Sequence, residues 1–141
     1  MMPLAIFDAL TTDPTLNALG ITATTVFERQ SLDGVTRPGA AGFFLVIDLL
    51  EQAVVLGGQR RGPRRLDIAA HVPAEITRDY TDINRILNAV DLVLVPMTQV
   101  VGSDGVRVMQ IQPMGRSRNL LDSGWKTITR AAQYSVLSGG P

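Results

Sequence analysis

The side chains able to carry chemistry in this 141-residue sequence are one histidine, a scatter of carboxylates and a set of arginines. His71 is the single histidine, and Asp67 lies four residues before it. A general acid/base pair is the chemistry such a couple would offer. Residues 66–72 alternate with period two, so Asp67 and His71 fall on one face of a strand. Four residues of strand span about 13 Å, which is too far for a direct hydrogen bond. The couple therefore reads as part of a polar sheet face, or His71 as a surface histidine, and no catalytic residue is expected. There is no cysteine, which removes a thiol nucleophile, a disulfide framework and cysteine-based zinc sites. The carboxylates match no metal-loop spacing, so neither a metal nor another cofactor is expected. Gly57-Gly58-Gln59-Arg60-Arg61-Gly62 has glycines but lacks the phosphate-loop Lys-Ser/Thr and the dinucleotide spacing. It leads into a strand, so it reads as a hairpin or an exposed loop.

The arginines are the sharpest charged feature. Arg60-Arg61 and Arg64-Arg65 flank a Gly-Pro pair, and Arg116 and Arg118 occupy a second polar stretch. Three readings stay open: contact with phosphate, ion pairing with acids of a neighbouring subunit such as Asp33, Asp48, Asp104 and Asp122, or plain solvation. Thirteen cations balance thirteen acids, which weighs against a dedicated nucleic-acid binder. Lys126 is the only lysine. Arginine suits fixed bidentate pairs at interfaces, although a GC-rich genome gives the same bias.

These residues need elements to position them. In residues 66–72, Leu66, Ile68, Ala70 and Val72 share a face, and Pro73 ends the run. Asp79 and Thr81 offer cap oxygens to a following helix with Asp82 in its first turn. Ile83, Ile86, Leu87, Val90 and Leu94 recur at helical spacing. Upstream, residues 3–11 read as a helix with Leu4, Phe7 and Leu10 on one side. Asp13-Pro14 reads as N-cap and N1 of another turn that stops at Gly20. Residues 22–29 read as a strand, 31–42 as a loop, and 43–50 as a strand that resumes near Val54, although Leu45, Leu49, Gln52 and Leu56 would also fit a helix face. Downstream, a turn at Ser103-Asp104-Gly105 precedes a strand over 106–112, a polar loop over 113–124 and a long strand over 125–137. In that last strand Ile128, Ala132, Tyr134 and Val136 oppose Thr127, Thr129, Gln133 and Ser135. The tail 138–141 reads as loose.

One domain spanning 1–141 is expected at this length. The fold class is α+β: a mixed, mainly antiparallel sheet with an N-terminal helix and one long amphipathic helix packed on one face. No signal segment or membrane-spanning run is visible, so a soluble product made in the cytoplasm is expected.

The order of elements and its residues resemble the tail terminator, or tail completion, proteins of long-tailed bacteriophages. Ala5-Ile6-Phe7-Asp8-Ala9-Leu10, Asp13-Pro14, Leu16 and Ala18-Leu19 look like the family's opening helix and turn. Residues 64–72 resemble its central strand, and 82–94 the helix laid across the sheet. Asp122-Ser123-Gly124-Trp125 through Tyr134-Ser135-Val136 resembles its closing strand. The apolar stretch 43–56 departs from that pattern. The resemblance implies a non-enzymatic virion protein forming a ring, commonly hexameric, at the head-proximal end of the tail tube. Such a ring ends tube polymerisation and docks to the head connector or stopper protein. Its partners would be its own copies, the major tail tube protein and the connector, with DNA passing through the lumen unread and no membrane. Its place would be the virion neck, after assembly in the bacterial host cytoplasm. Arg60, Arg61, Arg64, Arg65, Arg116 and Arg118 become interface or lumen candidates. The alternative is another neck protein, for head completion or as the head–tail stopper.

Overall fold

The computed structural model describes residues 2–33, 35–38, 42–50, 55, 56, 59, 60 and 63–139. The chain begins with α1 (Leu4–Thr12) and the short α2 (Pro14–Ala18). Asp13 caps α2, accepting from the Leu16 N–H at 3.0 Å, and Pro14 occupies the first turn, as the sequence suggests. Gly20 closes this unit at φ +92°, a left-handed position that suits glycine. The buried residues of α1 are Ala5, Ile6 and Leu10, whereas Leu4 is exposed and Phe7 half-buried.

Strand β1 is only Val26–Glu28, shorter than the expected 22–29. The threonines before it bond locally instead. The Thr22 N–H donates to Thr25 Oγ1 at 2.8 Å, and that hydroxyl donates to the Gly20 carbonyl at 3.0 Å. Such side-chain bonds compete with a ladder. One 3₁₀ turn (Arg29–Ser31) follows, then β2 (Phe44–Leu50). A two-stranded hairpin pairs β3 (Val55–Leu56) with β4 (Gln59–Arg60). Val54, where the strand is expected to resume, lies outside the described residues, as do Gly57, Gly58, Arg61 and Gly62.

Strand β5 (Arg64–Pro73) leads to α3 (Thr81–Leu94), close to the expected bounds. The N-cap position is Tyr80, which makes no side-chain cap bond; Asp79 just before it accepts at Oδ1 from the Thr81 N–H at 2.9 Å and from the Thr81 hydroxyl at 2.7 Å. Thr81 is itself the first helical residue. The next strand, β6 (Thr98–Val101), has no counterpart in the sequence reading. All four of its residues are exposed, so no alternation marks it.

The expected loop over 113–124 is corrected. Strand β7 runs from Arg107 to Arg116, and β8 covers Leu120–Asp122. Both pair antiparallel with β9 (Thr127–Gly139), so together they form one interrupted arm of a long hairpin. The arm is irregular between Pro113 and Gly115, where the register shifts and Gly115 sits at φ +128°. Past Gln110, the last β7 residue paired with β6, no described strand lies on the outer side, and proline is compatible with such an edge. Trp125 lies in the β8–β9 turn and not in the strand. Ser138 and Gly139 belong to β9, not to a loose tail.

The main sheet has the order β1-β2-β5-β9-β7-β6, with β8 beside β9. β1 is parallel to β2, and the other pairs are antiparallel. The sheet is curled. Its two margins come together at the start of α1: the Met2 backbone nitrogen donates to Glu28 Oε1 and the Leu4 N–H donates to Asp104 Oδ2, each at 3.0 Å. Glu28 ends β1 at one margin, and Asp104 lies in the β6–β7 turn at the other. Gly102, beside that turn, lets α1 sit close. A Cβ there would stand 2.8 Å from the Ala5 backbone nitrogen.

The helices cover one face. Ile83, Ile86, Leu87, Val90 and Leu94 of α3 are fully buried in one core with Leu66, Ile68, Ala70, Val72, Ile128 and Val136 of the sheet. Burying such aliphatic side chains is worth about 1.5–3 kcal/mol each. Among the described residues no helix is long and apolar enough to cross a membrane.

Candidate functional site

The opposite face of the sheet is built by residues that alternate with the core set. Register places Asp48 beside Asp67, and Asp67 beside Gln133. Ala69 lies beside Ala131, while Arg65 meets Ser135 and, through it, Gln112 of β7. Small and polar side chains therefore occupy the middle of this face. Arg65 Nε donates to Asp67 Oδ1 at 2.9 Å, with side-chain exposures of 48% and 25%. An ion pair this open is worth about 0–1 kcal/mol.

One end of the face is apolar. Phe44, Val46 and Trp125 form a second buried cluster, with Phe27 and Leu32 packed against it. His71 belongs to this end. Its ring stacks on Phe44 with centroids 5.1 Å apart and meets the Trp125 ring at 5.2 Å in an edge arrangement. Its Nδ1 is 2.9 Å from the Thr127 hydroxyl. The Arg29 guanidinium lies 5.3 Å from the Trp125 ring centroid, a cation–π contact. His71 and Asp67 do share a face, as their spacing implies, but the surface-histidine reading is corrected: His71 is 3% exposed among aromatic rings, while Asp67 pairs with Arg65. Burial pushes the His71 imidazole from 6.5 down to about 4. Arg29 adds to that shift and Asp122 opposes it. A ring held neutral in this way is a packing group with one hydrogen bond.

A second polar constellation joins α3 to the β7–β9 hairpin, and the sequence reading missed it. Asn84, Asn88 and Asp91 lie along one side of α3. Arg130 Nε donates to the Ser117 carbonyl, and its terminal nitrogen donates to Asn84 Oδ1, both at 2.7 Å. One terminal nitrogen of Arg116 donates to Asn88 Oδ1 at 2.7 Å and to Asp91 Oδ2 at 2.6 Å. The Tyr134 hydroxyl donates to Asp91 Oδ1. Burial, followed by that bond to Asp91, holds the Tyr134 hydroxyl above its usual 10. The visible signal was polar spacing of four and three on the helix, opposite a tyrosine and an arginine of β9. The pairing itself crosses 43 residues and leaves no local trace.

Among the described residues, Arg64, Arg65, Arg116 and Arg118 are not brought together as one group. Arg60 lies in β4, and Arg61 is outside the described residues. Arg64 and Arg65 are neighbours in β5 and so leave opposite faces. Arg64 lines a cleft with Met2, Asp104 and Val106, and Arg65 sits on the open face. Arg116 is engaged within the subunit by Asp91 and Asn88, whereas Arg118 is exposed in the β7–β8 link. Among the acids considered as their partners, three accept backbone bonds within the subunit. Asp33 accepts from the Val35 and Thr36 N–H groups, Asp104 from Leu4 and Val106, and Asp122 from Trp125. Among the described residues no three His, Asp or Glu side chains converge to hold a metal ion.

No family model matches the chain, and no curated protein matches it. Among solved structures, a chain in the virion of a native gene transfer agent (GTA) particle is similar at TM-score 0.58 and 17% identity, covering 95% of this chain and 92% of that chain. A second solved chain is 19% identical over 96% of each, at a TM-score of 0.48. At that identity, the likeness to the gene transfer agent chain establishes a shared fold over nearly the whole of both chains.

Proposed function

We propose that this chain is a structural virion protein of a phage or phage-like particle, and within that class a tail terminator. The observation that carries the reading is the fold shared with a gene transfer agent virion chain over 95% of this chain and 92% of that one. The resemblance of the opening helix, central strand, long helix and closing strand to tail terminators narrows the class. Copies assemble as a ring, six-fold, on the head-proximal end of the tail tube. The ring stops polymerisation of the major tail tube protein and docks to the connector or stopper, and DNA crosses its lumen without being read. The neck of the virion is its place. No enzymatic step, cofactor or membrane enters this role.

A closed ring joins two different patches of neighbouring subunits head to tail. The exposed β6 edge and the open sheet face with Arg65 and Asp67 are surfaces of the required kind. The test is electron microscopy of the purified protein, alone and mixed with tail tubes. Rings seated on one tube end, with tube growth halted, are the expected result. Rings that bind head connectors but ignore tubes would assign the chain to head completion or the stopper instead. Arg64→Glu and Arg65→Glu are made singly, because the two side chains leave opposite faces. The variant that touches the interface or lumen gives over-long, headless tails in phage. Normal tails from both would remove these two arginines from the mechanism.

A further inference from the structure

The aromatic end of the open sheet face joins parts of the chain that are far apart in sequence. Phe44 comes from β2, His71 from β5, Trp125 from the β8–β9 turn, Thr127 from β9 and Arg29 from the turn after β1. His71 is in the middle. It stacks on Phe44, abuts Trp125 and is hydrogen-bonded to Thr127. The β8–β9 turn has other ties nearby. The Trp125 N–H donates to Asp122 Oδ1 and the Ala74 N–H donates to the Lys126 carbonyl, both at 3.0 Å. Two buried polar atoms of this region, Trp125 Nε1 and Thr129 Oγ1, have no hydrogen-bond partner among the described residues, and such groups lower the cost of opening.

We propose that His71 is an acid-released clasp: its neutral imidazole holds the Trp125 turn against the open face of the sheet, and protonation lets that turn detach while the helix-covered core stays closed. An imidazolium in this place is buried between two aromatic rings, with the Arg29 cation already on the indole. Two charged groups act on the ring. Asp122 of β8 favours the cation, and Arg29 of the 3₁₀ turn disfavours it. The contacts from β2 and β9, Phe44 and Thr127, carry no charge. Burial outweighs the Asp122 attraction, so the closed state resists protonation and the open state accepts it. With the ring at about 4 when closed and 6.5 when open, the opening constant rises roughly 20-fold between pH 7 and pH 5.

Hydrogen exchange reads this constant at the Ala74 amide, whose bond crosses to the Lys126 carbonyl of the turn. After correction for the intrinsic pH dependence of exchange, its protection should fall about 20-fold from pH 7 to pH 5, while amides inside α3 keep theirs. Trp125 is the only tryptophan, so acrylamide quenching of its emission follows the same opening. In His71→Phe, which keeps an aromatic ring, and in His71→Gln, which keeps a polar partner for Thr127, the pH dependence should vanish. Equal falls in wild type and both variants would overturn the clasp, as would constant protection in wild type. Should both variants fail to fold, wild-type NMR decides, because the single histidine gives one unambiguous ring signal. Titration at the ordinary 6.5 overturns the proposal. Titration well below that, in step with loss of Ala74 protection, supports it.

Discussion

Tyr134 anchors the closing strand to the long helix, and its removal is a test of how the sheet and α3 are locked. The ring is fully buried, and its hydroxyl donates to Asp91 Oδ1, whose other oxygen takes Arg116 at 2.6 Å. Tyr134→Phe keeps the packing and deletes one bond to a charged acceptor, a loss of about 1.5–3 kcal/mol. Asp91 is 35% exposed at its side chain and keeps Arg116, so water recovers part of the loss and the low end, about 1.5 kcal/mol, is expected. For a 141-residue chain the unfolding entropy is about 0.3 kcal/mol/K, so Tm should drop by roughly 5 °C. Asp91→Ala should cost more, about 3 kcal/mol, because it leaves the Tyr134 hydroxyl buried without an acceptor. The double variant should then be less destabilised than the sum, by about 1 kcal/mol or more. Urea denaturation at one protein concentration gives all four corners of the cycle. The same bond predicts alkaline sensitivity. The Tyr134 hydroxyl titrates at about 10 when unfolded but higher when folded, so stability is full below pH 10 and falls as pH rises beyond it. A Tyr134→Phe protein that melts within a degree of wild type, or singles that simply add, would refute the lock.

Two further tests address the closure of the curled sheet around α1. Gly102→Ala places a methyl 2.8 Å from the Ala5 backbone nitrogen, so α1 or the β6–β7 turn must move. A loss of about 1–3 kcal/mol is expected by denaturation, and an unchanged melting curve would show that the two do not touch. Asp104→Asn weakens the carboxylate that accepts from the Leu4 N–H, so exchange at Leu4 should quicken while α3 amides stay protected. That backbone bond holds the Asp104 carboxyl below its ordinary 3.8, so its contribution is present above that pH and disappears as pH falls further. An acid profile identical in Asp104→Asn and wild type would contradict this role.

What was legible in the sequence was whatever buries one side with a regular period. β5 and α3 gave two clean periods and fall within a few residues of their expected bounds. The two faces of β9 alternate as expected, with Ile128, Ala132, Tyr134 and Val136 in the core, but Thr127 and Thr129 on the opposing face are buried as well, at the end where Thr127 meets His71. β6 and β8 were hidden for the opposite reason. Their residues are almost all exposed, and a strand that buries neither face carries no alternation. The polar contacts were hidden by distance along the chain. His71 becomes a buried ring only because residues 44 and 125 fold onto it, and Asp91 meets a tyrosine 43 positions later. Local spacing correctly denied His71 and Asp67 a direct bond, but it held no information on those partners.

The same contrast decides which arginines can report on assembly. Arg116 is tied to Asp91 in the network that also holds Tyr134. Reversing it would set a second carboxylate beside Asp91, so a failure to assemble could not be told from a failure to fold. Arg65 is different. Its partner Asp67 lies on the open face, the pair is worth about 0–1 kcal/mol, and no core residue depends on it. Arg65→Glu should leave the subunit's melting curve almost unchanged while placing two acids side by side on that face. Any loss of ring closure in that variant is then a property of the surface between subunits. A variant that assembles normally would show that the open face around Arg65 and Asp67 looks toward solvent or lumen, and would leave the β6 edge as the surface on which to seek the neighbour.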